Sequence, residues 1–348
     1  MNKRTVFIWA IIIAVAFAVA SLLEAGRGEA TNTGSQPLTD TQRQGLTKFL
    51  EATEDLAAAG SEVRKKPDAL ETRRALVGSF VNLIRSARGV ELNFVWDRNS
   101  PLLSLNPPFA MSLNASHKQT AGSIPGGLAF ASDMMFFSGQ HGAPTIDALG
   151  HISANLKLFG GLDATASESP SGLLALGIET YPKDRLTNRG ILLDVARFKG
   201  VEALAPGQEI TAEDLEATAK AEGVEIRPGD SVLIRTGFGK FFETDRAKYM
   251  GLRPGPGESG ARWLAAKKIF LTGDDQLSYE VVPAQGTVFP AHRILIAENG
   301  IYLVENLNLE ELSRVLAEEK VFEFLLVINP PRMRGATGAA VNAFAIIP

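Results

Sequence analysis

Histidine is scarce in this chain, four among 348 residues, yet three of the four stand in runs that also carry carboxylates. His141 and His151 flank Asp147 in Gln140-His141-Gly142-Ala143-Pro144-Thr145-Ile146-Asp147-Ala148-Leu149-Gly150-His151. His292 opens a second run that ends on Glu305-Asn306-Leu307. Imidazole and carboxylate together are the ligands of divalent ions and the groups of acid/base catalysis. Gly142, Pro144 and Gly150 make the first run a loop leaving a strand, not a helix, so loop geometry decides which groups face one another. Taken alone, His-x5-Asp-x3-His also suits capping, turn and core uses.

Composition narrows the chemistry. There is no cysteine, which excludes disulfides, thiolate nucleophiles, Cys-ligated zinc and iron–sulfur clusters. Any metal must take imidazole, carboxylate, water or backbone oxygen, which favours zinc, manganese or a similar divalent ion. Net charge is −4, with no long Lys/Arg run and no basic patch interleaved with aromatics, so no nucleic-acid partner is expected. No G-x-S-x-G elbow, P-loop or H-E-x-x-H occurs. Gly255-Pro256-Gly257-Glu258-Ser259-Gly260 spells G-x-G-x-x-G, but Pro254, Pro256 and the lack of an apolar strand before it argue against a dinucleotide site. His117 reads as a surface or loop histidine.

The elements that position these groups follow from the pattern. Residues 1–25 carry Lys3 and Arg4 before an uncharged apolar stretch ending in Ala18-Val19-Ala20, which predicts a secretory signal, with an uncleaved membrane anchor as the alternative. Either places the folded part outside the cytoplasm, in the periplasm or secreted. Residues 26–37 read as a linker and 38–89 as a helical hairpin, a packing appendage or a dimerisation arm. From 90 to 348, short apolar runs alternate with Gly/Pro turns and helices, which predicts an α/β or α+β domain. Met134 to Phe137 leads as an apolar run into the His141 loop. Strands are expected at Ile191 to Val195, Ser231 to Arg235, Ile269 to Leu271, Ile301 to Val304, Phe322 to Ile328 and Val341 to Ile347. Helices are expected at Thr211 to Glu222, Gly260 to Lys267 and Leu309 to Glu319. Asn299-Gly300 suits a tight turn, and a hairpin there would bring His292 close to Glu305. Trp96, Pro101, Pro107 and Pro108 mark a loop that packs or walls the pocket.

The two runs together resemble the putative cyclase family, which includes bacterial kynurenine formamidases and isatin hydrolases. That family carries His-x-Gly-Thr-His-x-Asp-x-Pro/Leu-x-His, then His…Asn-Gly-(apolar)-Glu-Asn-Leu. Here these become His141…Thr145-Ile146-Asp147…His151 and His292…Asn299-Gly300…Glu305-Asn306-Leu307. Arg189-Gly190…Asp194, Pro228-Gly229-Asp230…Thr236-Gly237-Phe238, Gly273-Asp274-Asp275-Gln276-Leu277-Ser278 and Gly335-Ala336-Thr337-Gly338 are similar to further family segments. The resemblance covers roughly residues 90 to 348. It implies a swivelling β/β/α fold and hydrolysis of an amide or cyclic amide by metal-activated water. It implies His141, Asp147, His292 and Glu305 as metal ligands, zinc or manganese as cofactor, and His151 as general acid/base. The expected partners are a small-molecule amide substrate and a second copy in a homodimer, with membrane contact only through the N-terminal segment. Thr145 departs from the pattern, because the family has a ligand histidine there. A mononuclear enzyme, a site with a substitute ligand such as Gln140, and an exported binding or scaffold protein that has lost catalysis all fit that departure.

Overall fold

The computed structural model describes residues 77–79, 81, 82, 84–101, 109–139, 142–284 and 288–347. The expected signal or anchor, the linker, most of the helical hairpin, Gln140, His141, Pro107 and Pro108 lie outside the described residues. Among those described, no helix is long and apolar enough to cross a membrane. The chain divides into one unit of residues 1–88, 315–321 and 348 and another of residues 89–314 and 322–347. In the first, the described residues from 77 to 86 are helical.

The second unit is built on a mixed sheet. Its strands are β1 (Arg88–Glu91), β4 (Thr145–Asp147), β5 (Thr187–Leu193), β6 (Ser231–Ile234), β7 (Leu271–Asp274), β8 (Tyr302–Glu305), β9 (Glu323–Asn329), β10 (Gly338–Ala340) and β11 (Asn342–Ile347), with β2 (Ala110–Ala115) and β3 (Ser132–Phe136) forming a separate ribbon. The order is β1-β11-β9-β5-β6-β7-β8-β4-β10. The centre, β5-β6-β7-β8, is parallel, and β4 runs antiparallel to β8. Parallel strands covered on both faces read as continuous apolar runs, and every residue of β6, β7 and β8 is buried. β9 and β11 instead alternate buried with more exposed positions, as half-covered antiparallel strands do.

Helices close the crossovers. In α1 (Ala212–Glu222), Thr211 and Asp214 form a reciprocal capping box, and Gly223 ends the helix at φ 69°. α2 (Glu258–Ala266) lies between β6 and β7, and α4 (Glu310–Glu319) follows β8. The mixed helix-and-strand architecture expected from the pattern is present, with most boundaries shifted by a residue or two, though β5 begins four residues before Ile191 and β7 ends three after Leu271.

One connection differs. Asn299-Gly300 does not join two strands. Pro290–His292 form a helical turn, α3, and Arg293–Glu298 continue it as a π-helix. Ile294, Leu295, Ile296 and Ala297 are all buried, so no period shows in the sequence, and a short continuous apolar run does not distinguish strand from helix. Gly300 then turns the chain into β8 at φ 67°, where a side chain would strike the ring of Phe159.

Candidate metal centre

The carboxyl ends of parallel strands are where α/β folds place their ligands, and Glu305 ends β8. Register puts Thr145 of β4 directly opposite Glu305, and the two-residue pleat turns Asp147 to the same face. The chain leaves β4 in a turn where Ala148 donates its N–H to the Thr337 carbonyl and His151 donates back to Ala148, which brings His151 over the strand end. His292 arrives on α3, immediately before the π-helix. A π-helical turn in a short helix is a recurrent feature of functional sites.

Donor atoms of Asp147, His151 and His292 lie within 4.8 Å of one another. His292 Nε2 is 3.4 Å from Asp147 Oδ2 and 3.4 Å from Glu305 Oε1. Ligands at about 2.0–2.2 Å from one tetrahedral ion are roughly 3.3–3.6 Å apart. The same spacing is long for a strong hydrogen bond. Asp147, Glu305 and His292 are buried, and His151 is half-buried. Its ring centroid is 6.2 Å from that of His292. Phe289, partly exposed and at φ 54°, sets its ring edge-on to His292 at 5.6 Å.

The electrostatics are those of a cation site. Burial alone pulls the His292 pKa down, but Glu280 and the contacts with Asp147 and Glu305 outweigh it and hold it well above the usual imidazole value. Burial pushes Glu305 up, against the pull of His292. Behind it, burial and the nearby Asp275 and Glu305 push Asp274 well above the usual carboxylate range. Carboxylates are buried at such density only when paired or coordinating. An oxygen- and nitrogen-donor set of this kind fits zinc or manganese.

Of the residues expected at the site, Asp147, His151, His292 and Glu305 are therefore neighbours, while His141 lies outside the described residues. The route differs from the expected hairpin, since His292 comes from a helix. Thr145 is buried beside the centre, but its hydroxyl faces the carbonyls of Gly139 and Ala339, each at 3.2 Å. His117 begins a short exposed helix outside the cluster. Trp96 packs on the core cluster of Ala143, Phe242, Tyr249 and Leu277 and against the rings of Phe109 and Phe137. At Gly257 the carboxylate of Glu209 occupies the space a side chain would take, an unfavourable neighbour for a pyrophosphate.

Glu280 was not anticipated. Its Oε1 is 2.7 Å from His292 Nδ1, and its Oε2 accepts the backbone N–H groups of Ala291 and His292. The sequence signal was an acidic residue inside Tyr279-Glu280-Val281-Val282, where solvent exposure is not expected.

The remaining motif residues hold the frame. Arg189 pairs with Asp230 at 2.5 Å and with Glu323 at 2.8 Å. Asp194 receives Arg235 at 2.9 Å and caps the Val195–Phe198 turn. Asp275 accepts from the backbone of Thr236 and Gly237 and from the Thr236 hydroxyl. Gly237 sits at φ 77°, where a Cβ would approach the Glu202 carbonyl oxygen to 2.1 Å.

The family described as Putative cyclase matches residues 90–281. No functionally curated protein matches the chain. Among solved structures, one described as a novel cyclase is 27% identical, with a TM-score of 0.67, covering 76% of this chain and 88% of its own. Isatin hydrolase A from Ralstonia solanacearum is 18% identical, with a TM-score of 0.61 and coverage of 82% and 99%. An isatin hydrolase bound to the product analogue thioisatinate is 22% identical, with a TM-score of 0.60 and coverage of 79% and 98%.

Proposed function

Since the chain belongs to the putative cyclase family, we propose that it is a metal-dependent hydrolase that cleaves the C–N bond of an amide or cyclic amide, in the manner of a kynurenine formamidase. The observation that carries this reading is the convergence of Asp147, His151 and His292, with Glu305 on the same His292 nitrogen. The isatin hydrolases of similar fold are named for a cyclic amide, which supports the substrate class.

Asp147, His292 and Glu305 would hold the ion, joined by His141. A bound zinc or manganese supplies Lewis-acid polarisation of the substrate carbonyl and makes water a better nucleophile. His151, half-buried at the mouth of the cluster, holds the proton that the departing nitrogen requires as water adds to the carbonyl carbon and the C–N bond breaks. Phe289 offers an apolar edge at the rim. We place the enzyme outside the cytoplasm, in the periplasm or secreted, on the strength of the N-terminal segment, and as a homodimer.

A second reading, an exported binding or scaffold protein without turnover, is favoured by the Thr145 hydroxyl facing backbone carbonyls where the family has a ligand. Elemental analysis of the full chain after metal-replete preparation, followed by a panel of amides, lactams and lactones, separates the two. We expect zinc or manganese in the wild type and none in His292→Ala. His151→Ala should keep the ion and lose turnover by about 10²–10⁴-fold. A wild type free of zinc and manganese sinks the enzyme reading; bound ion without turnover of any panel member supports the second. Loss of the ion in His151→Ala would make His151 a ligand instead.

A further inference from the structure

We infer that Glu280 is the positioning residue of this centre, fixing the His292 ring so that Nε2, not Nδ1, is the nitrogen offered to a cation between Asp147 and Glu305. The inference rests on the metal-centre reading and adds a residue that lies outside both histidine motifs.

Glu280 is 1% exposed and uses its two oxygens differently. Oε2 accepts the N–H groups of Ala291 and His292 at 3.0 and 3.1 Å, anchoring the first turn of α3. Oε1 stands 2.7 Å from His292 Nδ1, too far off the N–H line for a hydrogen bond, and both atoms are buried without a hydrogen-bond partner. One carboxylate therefore anchors the helical turn and faces the ring it carries. A carboxylate oxygen facing Nδ1 requires the imidazole hydrogen there. In the neutral ring that leaves the Nε2 lone pair directed at the space beside Asp147 and Glu305, 3.4 Å from each. A carboxylate behind a ligand histidine fixes its tautomer and raises its basicity, and its loss weakens metal binding about 10–100-fold.

A helix cap alone would need only Oε2, and Glu280→Gln separates the two roles. The amide oxygen of glutamine can keep the backbone bonds while its NH2 group faces Nδ1. That favours the tautomer with hydrogen on Nε2, which cannot ligate.

The test uses the full chain as wild type, Glu280→Gln and His292→Ala. Zinc affinity is measured by chelator competition, the visible spectrum of the cobalt(II)-loaded protein reports the ligand set, and circular dichroism of the metal-free proteins reports folding. The expected result is a folded Glu280→Gln protein with zinc affinity lowered about 10–100-fold and a changed cobalt spectrum. Affinity within twofold of the wild type and an unchanged spectrum would overturn the positioning role. If Glu280→Gln does not fold, the wild type decides through its imidazole nitrogen resonances, tractable with four histidines. Hydrogen on Nδ1 and zinc on Nε2 of His292 support the role; the reverse overturns it. A wild type that takes up neither zinc nor cobalt defeats the metal reading itself. Uptake lost in His292→Ala and fully retained, with the wild-type spectrum, in Glu280→Gln defeats only the role of Glu280.

Discussion

Thr145 shows how much depends on where one hydroxyl points. It occupies the β4 position opposite Glu305, and its side chain shares the face of Asp147. Yet its Oγ1 lies 3.2 Å from two backbone carbonyl oxygens. A hydroxyl has a single hydrogen to share between them, which turns that hydrogen toward backbone. Thr145→Val should therefore lower stability by about 1 kcal/mol through the lost hydrogen bond while leaving metal content unchanged. Chemical denaturation and elemental analysis of the same preparation check both halves. A valine variant that loses its ion would return Thr145 to the ligand set. At this scale the sequence was legible wherever chemistry fixes residue type. Asp147, His151, His292 and Glu305 were singled out by the two runs together with the family resemblance, and the structure sets them side by side. Glu280 could not be singled out, because one carboxylate in an apolar run carries no information about which histidine it faces.

At the scale of elements, legibility followed periodicity and punctuation. α1 was readable from Thr211, Asp214 and Gly223, which cap it in the structure as their chemistry dictates. The buried parallel strands were readable as apolar runs. The segment from Pro290 to Glu298 was not, because the unbroken burial of Ile294 to Ala297 erases the difference between periods of 2 and 3.6. α1 also ends on a buried acid. Glu222 Oε1 accepts the Asp194 N–H at 2.9 Å, while Oε2 is buried without a partner. Burial raises this carboxyl to about 8. A group whose folded pKa is raised adds stability in full below its unfolded pKa and loses that contribution as pH rises through the folded value. The stabilising contribution of Glu222 is thus present in acid and fades between about 4.5 and about 8. Glu222→Gln should be more stable than the wild type at pH 8 and closer to it at pH 5. Melting curves at the two pH values check this, and an equal difference at both would contradict it.

For the whole molecule, the β2–β3 ribbon is the part of the described surface least suited to water. Met111 pairs with Met135 and Ala110 with Phe136, so Met111 and Leu113 share one face with Met135, while Met134 and Phe136 take the other. Leu128 and Phe130 in the connecting loop are exposed as well. An isolated two-stranded ribbon is marginal in water. Met111, Leu113 and Met135 on one face, and Met134 and Phe136 on the other, are all exposed. The proposed homodimer would bury the Met134 and Phe136 face, where the ribbon strands carry no charge to repel across a two-fold axis. Analytical ultracentrifugation at micromolar concentration should find a dimer, and Met134→Asp with Phe136→Asp should yield monomers. A monomeric wild type, or a variant still dimeric, would count against the assignment.

The proposed ligands are also dispersed along the chain. Asp147 comes from an antiparallel strand next to the sheet edge, His292 from a helix, and Glu305 from the parallel centre. His292 and Glu305 meet locally, but Asp147 joins them only once β4 has paired with β8, nearly half the chain away. Molecules in which β4 has not paired with β8 would lack Asp147 at the site and hold an ion less tightly. The molar ratio of tightly bound ion to protein then serves as a census of correctly closed molecules, and a preparation can be judged by it before any substrate is known.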